Sequence, residues 1–402
     1  MKILLISNLY DPYIRGGAET IAKIAADGLS KKGHEVIVFS SRPYDGITRM
    51  GLRQESDTMW RLCPVNLFSY YYIGKYPYWI RLPWHVIDLL SLYPYFALRN
   101  LIRQIRPDVI LTHNLKGLGY QTTKAIHQSG IPWIHTLHDI QLVEPSGVRI
   151  FGQTPAENLF IKAYVSYCRY LFGKADMIVS PSQFLIDFYR ERKFFAVSDV
   201  RLLRNPVPVF PKESKKTKSG KWNEIHFLYV GQIEKHKGVE FMLHAFFTYL
   251  SLVPEFWKPV LHVVGDGSLL EAMKLQYEGE GRIIFYGRIP HDSLGVFFSQ
   301  SDFLLFPSLC FENAPAVILE ALGSGIPVIA SKIGGSTELL VHGENGFIFT
   351  SSNLKEFLDI LLSIPNYLDR LDDLKSAARE SVRPYTKANY TKTLEGFIDE
   401  LL

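Results

Sequence analysis

The stretch Phe306 to Gly346 limits the fold more than any other part of the chain; it reads FPSLCFENAPAVILEALGSGIPVIASKIGGSTELLVHGENG. Phe303 to Phe306 is a short apolar run closed by Pro307 and Ser308, the pattern of a buried parallel strand that ends at a loop. Asn313-Ala314-Pro315 predicts a helix start, with Pro at the first helical position, where its missing N–H costs nothing, and Asn or Ala at the cap. Gly323 and Gly325 predict its end after about Ala321.

Two carboxylates stand out against this pattern. Glu312 falls in the loop ahead of the helix, and Glu320 lies inside it among Val317, Ile318, Leu319 and Leu322, where a carboxylate needs a hydrogen-bond donor. A sugar nucleotide supplies such donors in its hydroxyls, and its diphosphate suits the positive helix end near Pro315. The purely structural alternative is that Glu312 offsets the helix dipole and Glu320 meets a Lys or Arg.

At 402 residues the chain is too long for one ordinary core and predicts two domains of about 200 residues each. With 47% hydrophobic and 21% charged residues it is a folded protein and not a disordered one. Cys63, Cys168 and Cys310 are odd in number and far apart, so neither a disulfide framework nor a zinc site is expected, and a reducing cytoplasm fits. The start MKILLISNLY suits a buried first strand and is too short in its apolar run for a signal peptide. A net charge of +4 without a Lys/Arg block gives no nucleic-acid partner.

In the first half, Ile3–Ser7, a helix from about Ala18 to Lys31 and Glu35–Ser40 predict a strand-helix-strand unit. Gly16-Gly17 then falls where the first strand ends, the face on which open parallel sheets bind ligands. Further strands are expected at Asp108–Leu111, Pro132–Thr136 and Ala175–Pro181, the first two ending in Thr112-His113-Asn114 and Leu137-His138-Asp139. His135 and His138 would face opposite ways on a strand and have no evident third ligand, so no metal centre is expected.

Between Met59 and Arg106 the composition changes, with Tyr70, Tyr71, Tyr72, Tyr76, Tyr78, Trp79, Trp84, Tyr93, Tyr95 and Phe96 among Lys75, Arg81, Arg99, Arg103 and Arg106. Aromatic rings with scattered cations suit a lipid headgroup interface, so peripheral membrane contact through residues 60–106 is expected; an internally packed helical hairpin is the alternative. The Lys-rich run Lys212 to Lys221 reads as an exposed linker. Beyond it, Ile225–Val230 and Pro259–Val264 are expected strands, and the loop from Gly231 to Gly238 carries Lys237, the cation that a phosphate-facing loop wants.

Taken together, Glu312-x7-Glu320, Gly325-Ile326-Pro327-Val328-Ile329-Ala330, Gly334-Gly335 with Glu338, and Asn345-Gly346 resemble the retaining glycosyltransferases of family GT4, which have the GT-B fold. The resemblance implies an α/β chain of two Rossmann-like, doubly wound domains facing across a cleft. Residues 1–207 would form the acceptor-side domain, with a C-terminal crossover helix at about 385–402, and residues 208–384 the nucleotide-sugar domain. It implies transfer of a sugar from a UDP- or GDP-sugar with retention of configuration, without a cofactor or protein-held metal.

The same resemblance assigns roles. Glu312, His138 and Lys237 would be catalytic: Glu312 holding donor-sugar hydroxyls, His138 orienting the sugar and Lys237 meeting the diphosphate. Gly16, Gly17, Gln232, Asn313, Ala314, Pro315, Glu320 and Arg288 would complete the donor site, with Glu320 on the ribose. GT4 enzymes usually carry Arg where Gln232 stands, which is the departure from the pattern. A lipid-linked oligosaccharide acceptor in surface-polysaccharide assembly, at the cytoplasmic face of a membrane, follows from the aromatic-basic stretch. A sugar-nucleotide epimerase and a non-catalytic membrane-associated binding protein are the alternatives.

Overall fold

The structure, a computed structural model, describes residues 1–44, 51–153, 158–207 and 223–402. The run Lys212–Lys221 expected as a linker lies outside them. The chain forms two compact units, the first comprising Met1–Gly147, Pro155–Asn205 and Lys387–Leu402, the second Val148–Thr154 and Pro206–Thr386.

The first unit is built on strands β1 (Lys2–Ser7), β2 (Glu35–Ser41), β3 (Gly51–Ser56), β4 (Met59–Cys63), β5 (Val109–Thr112), β6 (Trp133–Thr136), β7 (Met177–Ser180) and β8 (Asp199–Leu202). Their order is β3-β4-β2-β1-β5-β6-β7-β8. All pairs are parallel except β3 with β4. Chain order reverses direction between β1 and β5, which makes that the topological switch point.

Helices α1 (Gly17–Lys31), α2 (Tyr78–Leu90), α3 (Tyr93–Ile105), α4 (Thr122–Ser129), α5 (Leu159–Phe172) and α6 (Gln183–Glu191) belong to this unit. On α1 the residues Ile21, Ala22, Ala25 and Leu29 recur at helical spacing and bury against Ile3, Leu5, Val36 and Val38 of the sheet. The edge strands β3 and β8 escape a reading based on apolar runs. Arg53, Gln54, Glu55 and Ser56 are exposed, and Asp199 to Leu202 is nowhere buried, as edge strands require.

The second unit carries β9 (Glu224–Val230), β10 (Lys258–Val264), β11 (Ile283–Gly287), β12 (Phe303–Phe306), β13 (Val328–Lys332) and β14 (Gly346–Thr350) in the all-parallel order β11-β10-β9-β12-β13-β14. Its helices are α7 (Val239–Leu252), α8 (Leu270–Gln276), α9 (Gly295–Gln300), α10 (Ala316–Gly323), α11 (Leu354–Ser363) and α12 (Leu371–Val382). Alternate strand residues feed two cores. Phe227, Leu261, Phe303 and Ile329 pack with Met242, Phe246 and Phe357 on one face, and Leu228, Val264, Leu304 and Val328 with Ile318, Leu322 and Ala378 on the other. The sheet is therefore doubly wound, as expected.

Two details depart from the expectation. Pro315 is the residue before the helix, with φ −61° and ψ 121°, so α10 starts one residue later at Ala316 and neither Asn313 nor Ala314 caps it. Proline's fixed φ suits either place; the extended ψ keeps it outside. Also, Arg149, Ile150 and Phe151, from the first half of the chain, pair within the second unit, through Phe151 N–H to Leu309 O (2.7 Å), Phe311 N–H to Arg149 O (2.9 Å) and an antiparallel bridge of Ile150 with Cys310. The final helix, α13 (Lys387–Asp399), belongs to the first unit.

Candidate active site

In the second sheet the chain reverses between β9 and β12, so the loops after these strands flank the switch point. Lys237 ends the first of these loops and Glu312 lies in the second. Lys237 Nζ donates to Glu312 Oε1 at 2.7 Å, and the same oxygen accepts from Ser308 Oγ at 2.9 Å. Burial alone pushes the Lys237 ammonium down, but the Glu312 carboxylate outweighs it and raises the pKa above that of a free lysine. A cation is thus held beside a carboxylate at the edge where a parallel sheet takes its ligand.

Two glycines bring these loops together. Gly238 has φ +73°, and a Cβ on it would lie 2.0 Å from Pro307 O, so only glycine lets the Lys237 turn close on the end of β12. Leu309 N–H then donates to His236 O at 3.0 Å. Gly334 has φ +59°, and its Cβ would lie 2.2 Å from Glu312 O, while Gly335 N–H donates to that same oxygen at 2.8 Å. The Gly334-Gly335 pair therefore clamps the Glu312 backbone.

Asn313, Ala314 and Pro315 form the half-buried approach to α10. Glu320 is buried on α10, and its partner is neither a Lys nor an Arg: His291 Nε2 lies 2.9 Å from Glu320 Oε1. Gln232 is exposed after β9, its carbonyl accepting from Tyr229 Oη at 2.7 Å, and Arg288 is exposed just past β11. Cys310 is buried beside Glu312, where burial lifts its thiol to about 11, which keeps it protonated and unreactive.

The first unit repeats the arrangement. Gly16 and Gly17 follow β1 at its switch point; Glu19 Oε2 turns back to accept from Gly16 N–H at 2.9 Å, and a Cβ on Gly17 would meet nothing within 4 Å. The preceding loop is tied down by the buried Arg61, which donates to Tyr10 O (3.1 Å), to Asp11 O and to Glu55 Oε2 (3.0 Å). Arg15 reaches the Tyr70 carbonyl at 2.9 Å.

Beyond β5 and β6, His113 Nδ1 lies 2.9 Å from His138 Nε2, with the rings stacked. Burial lowers the pKa of His138 to about 4 and that of His113 well below its ordinary value, so both rings are neutral at pH 7 and one donates to the other. Asn114 Nδ2 donates to Asp139 Oδ2 at 3.4 Å, and Gln141 N–H to Asp139 Oδ1 at 2.8 Å. A cavity of about 20 Å³, room for one water, is lined by Asn114, His138 and Asp139. The pairing of His113 with His138 was missed from sequence, although Thr112-His113-Asn114 and Leu137-His138-Asp139 both end apolar runs and so align once β5 and β6 are neighbours. His291, Ser308 and Arg61 were missed for want of any local signal.

Two family models match the chain: one described as Glycosyltransferase Family 4 over residues 15–209, and one described as Glycosyl transferases group 1 over residues 211–381. The chain belongs to glycosyltransferase family 4. A Klebsiella pneumoniae relative of this glycosyltransferase, an uncharacterized 42.6 kDa protein in the cps region, is 25% identical over 342 residues, covering 84% of this chain and 87% of its own. Among solved structures, the sucrose-phosphate synthase of Thermosynechococcus elongatus matches with a TM-score of 0.75 at 18% identity, over 100% of this chain and 98% of that one. Anabaena HepE in complex with UDP matches with a TM-score of 0.70 at 18% identity, over 100% of both. These likenesses identify the fold of the glycosyltransferase as GT-B.

Proposed function

We propose that this glycosyltransferase moves a hexosyl group from a nucleoside-diphosphate sugar to a saccharide hydroxyl with retention of configuration, the acceptor being a lipid-linked oligosaccharide in surface-polysaccharide assembly. The observation that carries the donor half is the Lys237–Glu312 pair, 2.7 Å apart across the β9/β12 switch point. The UDP held by the structural neighbour HepE supports the donor class, and the cps-region relative supports the pathway class.

In this reading the bond between C1 of the sugar and the diphosphate oxygen breaks through an oxocarbenium-like state. Negative charge grows on the leaving phosphate, where Lys237 and the free N–H groups at the start of α10 stabilise it without a protein-held metal. The acceptor oxygen bonds to C1 on the same face, and its proton passes to the departing phosphate, so no covalent enzyme intermediate forms. Glu312 fixes sugar hydroxyls and Glu320 the ribose; His138, neutral at pH 7, hydrogen-bonds the sugar. Gly16 and Gly17 leave room beside the substrate, with Gln232, Asn313, Ala314, Pro315 and Arg288 around the donor.

Lys237→Ala and Glu312→Ala are each expected to lower kcat by about 100-fold or more, the scale for removing one preorganised charge contact. Thermal unfolding of both variants provides the folding control. Near-normal turnover in both, with folding intact, overturns the assignment.

The acceptor half rests on α2. Trp79, Leu82, Val86 and Leu90 are exposed at i, i+3, i+7 and i+11, one face of the helix, with Leu92 and Phe96 exposed nearby. Between Met59 and Pro107 the only acidic residue is Asp88, and it is buried. An apolar stripe flanked by Arg and Lys alone suits an anionic lipid surface. Among the described residues no helix is long and apolar enough to cross a membrane.

A further inference from the structure

Glu320 occupies an unusual place for a carboxylate. It lies on α10 between Leu319 and Ala321, both in the core under the sheet, and is itself 5% exposed. A carboxylate so placed needs a donor. The donor comes from the loop after β11: His291 Nε2 lies 2.9 Å from Glu320 Oε1, and the His291 side chain is 57% exposed while that of Glu320 is 7%. An imidazole can donate from Nε2 whether neutral or charged, so the contact does not depend on an ion pair. Glu320 Oε2 accepts no hydrogen bond from the described residues.

Three features of this contact go together. His291 sits just past the carboxyl end of a parallel strand, the edge at which such sheets receive ligands. It contributes little to the core, being mostly exposed, so packing does not account for it. It engages one oxygen of a buried carboxylate and leaves the other.

We propose that His291 is a positioning residue for donor binding: its Nε2–H fixes the Glu320 carboxylate so that the second oxygen accepts from the ribose hydroxyls of the nucleotide. This rests on the reading above that Glu320 meets the ribose. The work is done on binding and not on bond breaking, because the ribose lies away from C1 of the sugar. Losing the imidazole releases the carboxylate rotamer, and the cost falls on the ribose contact alone.

The test compares His291→Ala, His291→Gln and Glu320→Ala with the wild-type chain. Binding is measured by calorimetry with UDP or GDP, whichever the wild-type chain binds more tightly, and with its 2′,3′-dideoxy counterpart. His291→Ala is expected to weaken the ordinary nucleotide about tenfold and the dideoxy nucleotide less than threefold. Gln, whose side-chain N–H can replace Nε2–H, is expected to restore most of the loss. In turnover assays the donor KM rises in His291→Ala while kcat at saturating donor stays within twofold.

Equal weakening of both nucleotides by His291→Ala, or no weakening of either, overturns the proposal. Glu320→Ala separates this from the underlying reading. If that variant no longer distinguishes ribose from dideoxyribose, Glu320 meets the ribose and only the role of His291 is at stake. If it still distinguishes them, or if the wild-type chain binds neither nucleotide, the underlying reading fails. Because His291 is exposed, an unfolding midpoint near wild type is expected, and a large fall instead assigns it a structural role and overturns the proposal.

Discussion

Single residues in this chain are constrained by what their backbone must touch. Gly334 takes φ +59° with its missing Cβ facing the Glu312 carbonyl, so a methyl group there both strains the backbone and pushes away the loop that carries the Lys237 contact. Gly334→Ala is expected to destabilise the chain by roughly 2 kcal/mol or more and to lower turnover with it; calorimetric unfolding and a rate assay check both. An unchanged midpoint would show that the loop yields freely. His138 constrains the chain through its charge. Burial holds it near pKa about 4 against an ordinary 6.5, so the unfolded chain binds its proton first as pH falls. Its stabilising contribution is whole above about pH 6.5 and is lost as pH falls towards 4. Asp88 and Asp139 act in the opposite sense, since burial raises them to about 7 and about 6. The difference between His138→Gln and wild type isolates the histidine: the variant is expected to gain relative to wild type in melting temperature as pH drops from 7 to 4.5. A gap that does not change with pH would contradict this.

At the scale of elements, the aromatic stretch divides into two kinds of surface. Phe68 and Tyr76 stack at 3.8 Å, Trp84 is 1% exposed with Nε1–H donating to Phe68 O at 2.7 Å, and Arg81 donates to the Tyr76 and Gly74 carbonyls. These residues hold a turn together, and Arg81 in particular is committed to the fold. The face bearing Trp79 (72% exposed) and Leu82 (55%) has no such duty. Replacing both Trp79 and Leu82 by Ser is therefore expected to cut the fraction that sediments with anionic liposomes by several-fold without changing the melting temperature. An unaltered bound fraction excludes this face as the contact. Composition showed the stretch to be unusual. It did not separate the inward rings from the outward ones, because that depends on which turn of α2 meets the segment around Phe68 and the loop at Gly117. Other elements show the same limit: β3 and β8 are polar edge strands without an apolar run, and Arg149, Ile150 and Phe151 pair with residues 309–311, far away in the chain.

For the molecule as a whole, both units obey one rule: candidate residues follow the carboxyl ends of strands, in the loops there or in the helices those loops open, on either side of a reversal in strand order. The last helix shows how the chain ties its ends together. On α13, Tyr390, Leu394, Phe397 and Ile398 join the core around α1, and Glu395 accepts from Lys32 and His34. Gly28 of α1 lies so close to Thr391 that a Cβ would be 2.2 Å from its Oγ1. Those buried side chains represent an upper bound of roughly 6 to 12 kcal/mol, comparable with the whole stability of a domain. Removing residues 387–402 is accordingly expected to leave the first unit aggregated or unfolded, as judged by soluble yield and unfolding curves. A truncated chain with an unchanged melting profile would show that α13 is dispensable.

By itself the sequence determined the alternation of apolar strands and helices, the α/β class, the positions of Lys237, Glu312 and His138 beyond strand ends and that of Glu320 inside a helix, because burial period and turn residues are local properties. Only the tertiary structure decided which side chains meet: Lys237 with Glu312, His113 with His138, His291 with Glu320. Each of these pairs joins segments that follow different strands, so its existence depends on strand order. Strand order is set by how the apolar faces pack together, which no single segment encodes.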